Sequence, residues 1–298
     1  MNLISFPLLH AQGAAYPTGW LHSNWKFEPT VIVGAIVIAA LYIIWTGSKN
    51  RNGAGEQIHP VSAKQRAMFL GGLLVFVAAL NPPLDDISDY YLLTAHMAQH
   101  MLLMFVVVPL VLVGTPAWLI AKMLARRPLL TIWSAVTKPI PAFIIANVII
   151  VGWHLPFAYD VAIRHQPIHV VEHNLFLLAA LVSWWPVLGP VLPGQKRMTP
   201  LLQCLYLFAL TMPSGLVGAF ITLASPSVYK SYVGAPQIWG IDRAMDHEIA
   251  GSMMWVLAGL VYLSMLTAVF FRWSANEEAK DNSPASRAPA AAQEATRV

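Results

Sequence analysis

The segment HMAQHMLLMF, residues 96–105, sets His96 and His100 four residues apart, with Met97, Met101 and Met104 interleaved. On a helix, positions i and i+4 share a face, so His96, His100 and Met104 form one stripe and Met97 with Met101 the neighbouring one. HVVEH at 169–173 repeats the histidine spacing around Glu172, and DHE at 246–248 places His247 between two carboxylates. His154 stands in WHLP, where Pro156 must end or bend a helix. A lone histidine in an apolar helix usually bonds a neighbouring carbonyl, and a lone methionine run is usually packing filler. Together, imidazole and thioether without thiolate suit copper, Cu(I) above all, better than zinc or magnesium. The candidate metal ligands are therefore His96, His100, Met101, Met104, His154, His169, His173 and His247, with Met97 the weakest of the methionines. Glu172 and Asp246 are candidates for fixing the tautomer of a ligating imidazole.

Other chemistry finds less support. HVVEH formally matches the H-x-x-E-H of inverted zinc peptidases, but those enzymes are soluble. HEIAG at 247–251 lacks the second histidine of H-E-x-x-H, PSGLVG at 213–218 is not a nucleophile turn, and no phosphate-binding glycine loop is present. Pro213, Gly215 and Gly218 read instead as a kink or a close helix contact. Cys204 is the single cysteine, which excludes an internal disulfide and a Cys-x-x-Cys metal clip. The expectation is a protein that is not an enzyme.

The elements that must position these groups are membrane spans. Of 298 residues 57% are hydrophobic and only 11% charged, against roughly 25% charged in a soluble domain. Apolar runs long enough to cross a bilayer, about 20 residues each, fall at 29–46, 67–83, 91–114, 139–157, 169–189, 199–224 and 247–271. The reading is an all-α, polytopic membrane protein: an outer N-terminal tail (1–28), a seven-helix membrane domain (29–273) and a disordered cytoplasmic tail (274–298). PAWLIAKML at 116–124 is too short to span and belongs at the interface. No basic segment precedes LISFPLL, so no cleaved leader is expected, and no internal repeat is visible.

The net charge of +4 does not point to nucleic acid, because the charge is segregated. Alternate loops hold 14 of the 18 Lys and Arg: Lys49 to Arg66, Lys122 to Lys138, Lys196 and Arg197, and Arg272 onward. The positive-inside rule places those loops in the cytoplasm, the N-terminus outside and the C-terminus inside. Nine of the ten histidines then fall on the outer half, His59 being the exception. With the third span starting near Tyr91, His96 lies about 8 Å and His100 about 14 Å deep at ~1.5 Å per residue. Polar groups at that depth are costly unless partnered and mark a functional interior.

HMAQHMLLMFVVVPLVLVG, GWHLPFAY at 152–159, HVVEHNLFL at 169–177, WWP at 184–186 and DHEIAGSMMW at 246–255 resemble the polytopic CtaG family, assembly factors for caa(3)-type cytochrome c oxidase. The likeness covers roughly residues 25–273, and H-M-x-Q-H-M-L-L is its most specific element. His96, His100, His154, His173 and Asp246 match recurring family positions, while His247 departs from the expected Gln. The resemblance implies seven spans in a bacterial plasma membrane, cytochrome c oxidase subunits as partners within the lipid bilayer, and copper handling during oxidase maturation. A copper channel or transporter using the same ligands is the first alternative. A haem-binding redox protein, with His100 and a histidine of a facing span as axial ligands, is the second.

Overall fold

The computed structural model describes residues 27–52, 57–193 and 195–281. His10, His22 and most of both expected tails lie outside the described residues. Lipid offers the peptide backbone no hydrogen-bond partner, so apolar runs satisfy themselves as helices. The chain begins with α1 (Pro29–Thr46), α2 (Ala63–Ala79) and α3 (Leu84–Tyr90). Next, α4 (Leu93–Leu102), a π-helical turn (Leu103–Val107) and α5 (Val108–Gly114) run on as one 22-residue helix, Leu93–Gly114. Then follow α6 (Ala117–Met123), α7 (Arg127–Val136), α8 (Pro139–Trp153), α9 (Pro156–Arg164), α10 (Gln166–Leu188) and α11 (Pro200–Leu223). The last helix joins α12 (Arg243–Ser252), a second π-helical turn (Met253–Leu257) and α13 (Ala258–Asp281). No strand forms among the described residues beyond one isolated pairing of Arg51 with Gln57.

Five of these helices are individually long and apolar enough to cross a membrane. The count reaches seven if α2 with α3, bent by 41°, and α7 with α8, bent by 79°, each serve as one span. Each apolar run read from the sequence coincides with a helix, and the largest departures have local causes. The second starts at Ala63 because Ser62 and Gln65 cap it reciprocally, Ser62 Oγ accepting from Gln65 N at 3.1 Å and Gln65 Oε1 accepting from Ser62 N at 3.2 Å. The last starts at Arg243, where Asp242 accepts from Met245 N at 2.9 Å, and it stays helical through Asp281. The residues 274–281, assigned to a disordered tail on composition, therefore continue α13; Ala275, Glu277, Glu278 and Lys280 are good helix formers, and Lys280 pairs with Glu277 at 2.8 Å.

The interior is built from the long helices, with Phe176, Leu207, Ile221, Trp184 and Tyr262 buried between α4–α5, α8, α10, α11 and α13. Gly218 of α11 faces Gly251 of α12 so closely that a Cβ on Gly251 would lie 2.6 Å from the Gly218 carbonyl oxygen. Small residues let these two backbones meet. α1 packs at the edge, Tyr42 stacking on Phe69 of α2 at 3.8 Å and donating to the Gly114 carbonyl at 2.9 Å. Its other faces expose Val33, Ile36, Val37 and Ile43, as a lipid-facing helix would.

Candidate metal centre

α4 begins at Leu93 in buried surroundings, where the free N–H groups of a first turn need acceptors. Asp246 of α12 supplies them: its two carboxylate oxygens accept from Leu93 N and Thr94 N, both at 2.9 Å. Thr94 Oγ1 returns a bond to the Asp246 carbonyl at 3.0 Å, and Arg243 lies 3.4 Å from the carboxylate. Between the two histidines of α4, Gln99 donates to the Ala79 carbonyl at 2.8 Å and to Asp85 at 2.7 Å, and accepts from Ser88 Oγ at 3.3 Å. Both ends of the His96–His100 segment are thus tied to other elements.

α10 brings His169, Glu172 and His173 against that segment. The rings of His96 and His100 are 4.2 Å apart, His169 and His173 are 4.3 Å apart, and across the helices His96 lies 5.4 Å from His169 and His100 5.2 Å from His173. Potential ligand atoms of His96, His169 and His173 all lie within 4.8 Å of one another, as do those of His96, His100 and Glu172. All five residues are buried. His169 also approaches Asp89, at 3.9 Å, and Glu172, at 4.0 Å.

Neither ring nitrogen of His96 or of His100 has a hydrogen-bond partner, and neither does either oxygen of Glu172. Buried polar atoms are nearly always bonded, and a bare buried carboxylate is costly. The open nitrogens of His96 and His100 and the Glu172 carboxylate, with His169 and His173 beside them, fit a cation: imidazole suits copper and zinc, and the single carboxylate offsets positive charge.

An aromatic layer closes this centre. Tyr159 of α9 lies 5.2 Å from His96, and its hydroxyl meets that of Tyr232 at 3.1 Å. Tyr232 in turn donates to the Ser88 carbonyl at 2.6 Å, and Tyr229 donates to the His154 carbonyl at 2.8 Å. Burial raises the Tyr229 and Tyr232 hydroxyls well above their ordinary range, so both remain protonated donors. Asp160 pins the same loop, accepting from Lys230 N, Ser231 N and Ser231 Oγ.

The predicted ligands do not all meet at one point. His154, at the end of α8, lies 6.1 Å from His100 and commits Nδ1 to the Ile150 carbonyl at 2.7 Å, leaving Nε2 without a partner. Met101 and Met104 line a narrow cleft of about 30 Å³ beneath His100 and His154, together with Met97 and Met254. His247 is buried apart from the five-residue cluster, its ring 5.8 Å from Tyr229. The Asp246 carboxylate serves α4 rather than an imidazole. Gln99, Met254 and the three tyrosines escaped the sequence reading. For Gln99 the available signal was an amide inside an apolar span, and for Met254 a second methionine pair in GSMMW.

The chain is similar to two mycobacterial proteins. An uncharacterized protein of Mycobacterium leprae (strain TN) is 24% identical over 270 residues, covering 84% of this chain and 39% of its own length. An uncharacterized protein of Mycobacterium tuberculosis (strain CDC 1551 / Oshkosh) is 23% identical over 268 residues, with the same coverage. The chain thus spans about two fifths of the length of these relatives. No solved structure matches it significantly. Residues 40–276 match the family described as cytochrome c oxidase caa3 assembly factor (Caa3_CtaG). With four-fifths of its length matched, the chain belongs to the caa3 cytochrome c oxidase assembly factor family.

Proposed function

We propose that the chain holds copper, as cargo, at His96, His100, His169, His173 and Glu172, and releases it to a cytochrome c oxidase subunit during maturation. The observation that carries this reading is the convergence of six buried, unpartnered atoms, two on each of His96, His100 and Glu172. A bound cation would offset their desolvation. The thioethers below His100 give a softer, weaker-binding environment from which Cu(I) would transfer readily to imidazole.

In this reading the chain crosses a bacterial plasma membrane seven times. The histidine end faces outward, and the end bearing 14 of the 18 Lys and Arg faces the cytoplasm. The protein is then a carrier rather than a catalyst. The test is the double variant His96→Ala/His100→Ala: it should insert normally, lose bound copper on metal analysis, and lower both the activity and the copper content of the oxidase. Normal oxidase in cells carrying that variant would overturn the proposal.

A copper channel is the second reading, favoured by the cleft of Met97, Met101, Met104 and Met254 that continues from His100 toward Tyr262. Uptake of copper into sealed vesicles containing the protein would support it over delivery. The rings of His100 and His173, 5.2 Å apart, stand too close to ligate a haem from its two faces.

A further inference from the structure

A second cavity lies at the opposite end of the bundle, where α7 turns into α8 and the loop after α10 folds back. Its volume is about 180 Å³, and its walls include Lys138, Lys196, Arg197, Gln195, Gly189 and Trp185. No acidic residue lines it. Lys138 is the N-cap residue of α8, so the positive end of a 15-residue helix dipole adds to the three side-chain charges. Gln195 spends its amide on the Ser134 carbonyl at 2.8 Å, and Arg197 spends one nitrogen on the Gly189 carbonyl at 3.3 Å, leaving its guanidinium other donors.

Two further observations say what kind of anion belongs there. Trp185 is only 6% exposed, yet its Nε1–H has no acceptor: a buried donor in the wall of a basic cavity. Trp133 of α7 packs edge-on against it at 5.1 Å, the aromatic pairing expected at headgroup depth. α7 itself is set 79° from α8, begins with Arg127 beside Arg126, and exposes Leu129 and Ile132. That is the geometry of a helix lying in the interface with its apolar side chains in the acyl region. Beside the cavity, α8 exposes Ile140, Ile144 and Val148, a lipid-facing track on which acyl chains would lie.

We propose that this cavity binds the phosphodiester headgroup of an anionic glycerophospholipid, held by Lys138, Lys196, Arg197 and the Trp185 indole N–H. Basic pockets between spans at a cytoplasmic surface recognise such headgroups through shared charge and hydrogen bonds. The site is independent of the metal centre and stands or falls separately from it.

The test uses the full chain purified in detergent, with phosphatidylglycerol, phosphatidylcholine and inorganic phosphate as probes, read by native mass spectrometry and thermal unfolding. Phosphatidylglycerol should be retained and raise the unfolding midpoint by several degrees, whereas phosphatidylcholine and inorganic phosphate should do neither. Lys138→Gln/Lys196→Gln/Arg197→Gln should weaken phosphatidylglycerol binding about tenfold or more, consistent with the ~1 kcal/mol each basic group gives at a membrane surface. Arg126→Gln/Arg127→Gln, which removes comparable charge outside the cavity, should bind like the parent. If the triple variant fails to fold, Lys196→Gln, at an exposed position, and Trp185→Phe, which removes only the N–H, should each weaken binding severalfold. Undiminished retention in these variants would overturn the proposal. So would an equal response to phosphatidylcholine, or a full response to inorganic phosphate alone.

Discussion

The carboxylate of Asp246 accepts the backbone N–H of Leu93 at 2.9 Å across 153 residues of sequence. One side chain of α12 thereby sets the start of the helix that carries His96 and His100. The acidic residue next to His247 thus anchors the histidine-bearing helix α4 from outside the cluster.

Asp246→Ala should leave the Leu93 and Thr94 N–H groups without their acceptor and Arg243 without its carboxylate. Loss of a cap and exposure of unpaired buried donors predict a destabilisation of about 1–3 kcal/mol. Thermal unfolding in detergent measures it. Copper bound per protein should fall as well, because α4 loses the anchor that fixes its rotation.

Glu172→Gln separates a structural carboxylate from a ligand. Without an ion the buried carboxylate has no hydrogen bond and only His169, 4.0 Å away, to offset its charge, so the variant should be at least as stable as the parent in metal-free buffer. Added copper should then stabilise the parent, by about 2.7 kcal/mol at a hundred times the dissociation constant, and the variant much less. A variant less stable than the metal-free parent would show that Glu172 is held by the protein itself.

Trp184→Phe tests the π-helical turn below His100. In that turn Val108 N bonds the Leu103 carbonyl, and Pro109, five residues after Met104, has no N–H to offer. The Trp184 indole fills the gap, donating to the Met104 carbonyl at 3.0 Å. The substitution keeps the apolar ring but strands a buried carbonyl, for a predicted cost of about 1–3 kcal/mol by thermal unfolding.

Gly251→Ala would bring a Cβ to 2.6 Å from the Gly218 carbonyl, a backbone atom that cannot swing aside. Overpacking of this kind costs about 1–3 kcal/mol. The α11–α12 seam should open, and because Met254 lies just beyond it, the methionine cleft should change too. Gly215, with open space around it, should accept Ala with little effect.

The long helices were legible in the sequence because hydropathy and length are local properties; 29–46 matches α1 to the residue. The segment 116–124, read as too short to span, holds only the seven-residue α6 (Ala117–Met123). α7 was missed although RPLLTIWSAV carries amphipathic spacing, because a ten-residue helix is too short for a span-length window. The i, i+4 spacing put His96 beside His100 and His169 beside His173, but which pair faces which is decided by helix order, a tertiary property. Asp246 shows the limit most clearly: its neighbour His247 suggested a local partner, and its actual partners are Leu93 and Thr94, more than 150 residues away.

The π-helical turn at Leu103–Val107 has a consequence for comparing chains of this kind. Such a turn houses one residue more than the α-helical path it replaces. A one-residue gap between two otherwise matching sequences therefore belongs within 103–107, where removing a residue would restore an ordinary helix. The same gap placed between 93 and 102 would rotate His96 or His100 by about 100° and carry imidazole away from α10. Where an insertion or deletion falls in this span thus separates a harmless change of helix type from the loss of a histidine.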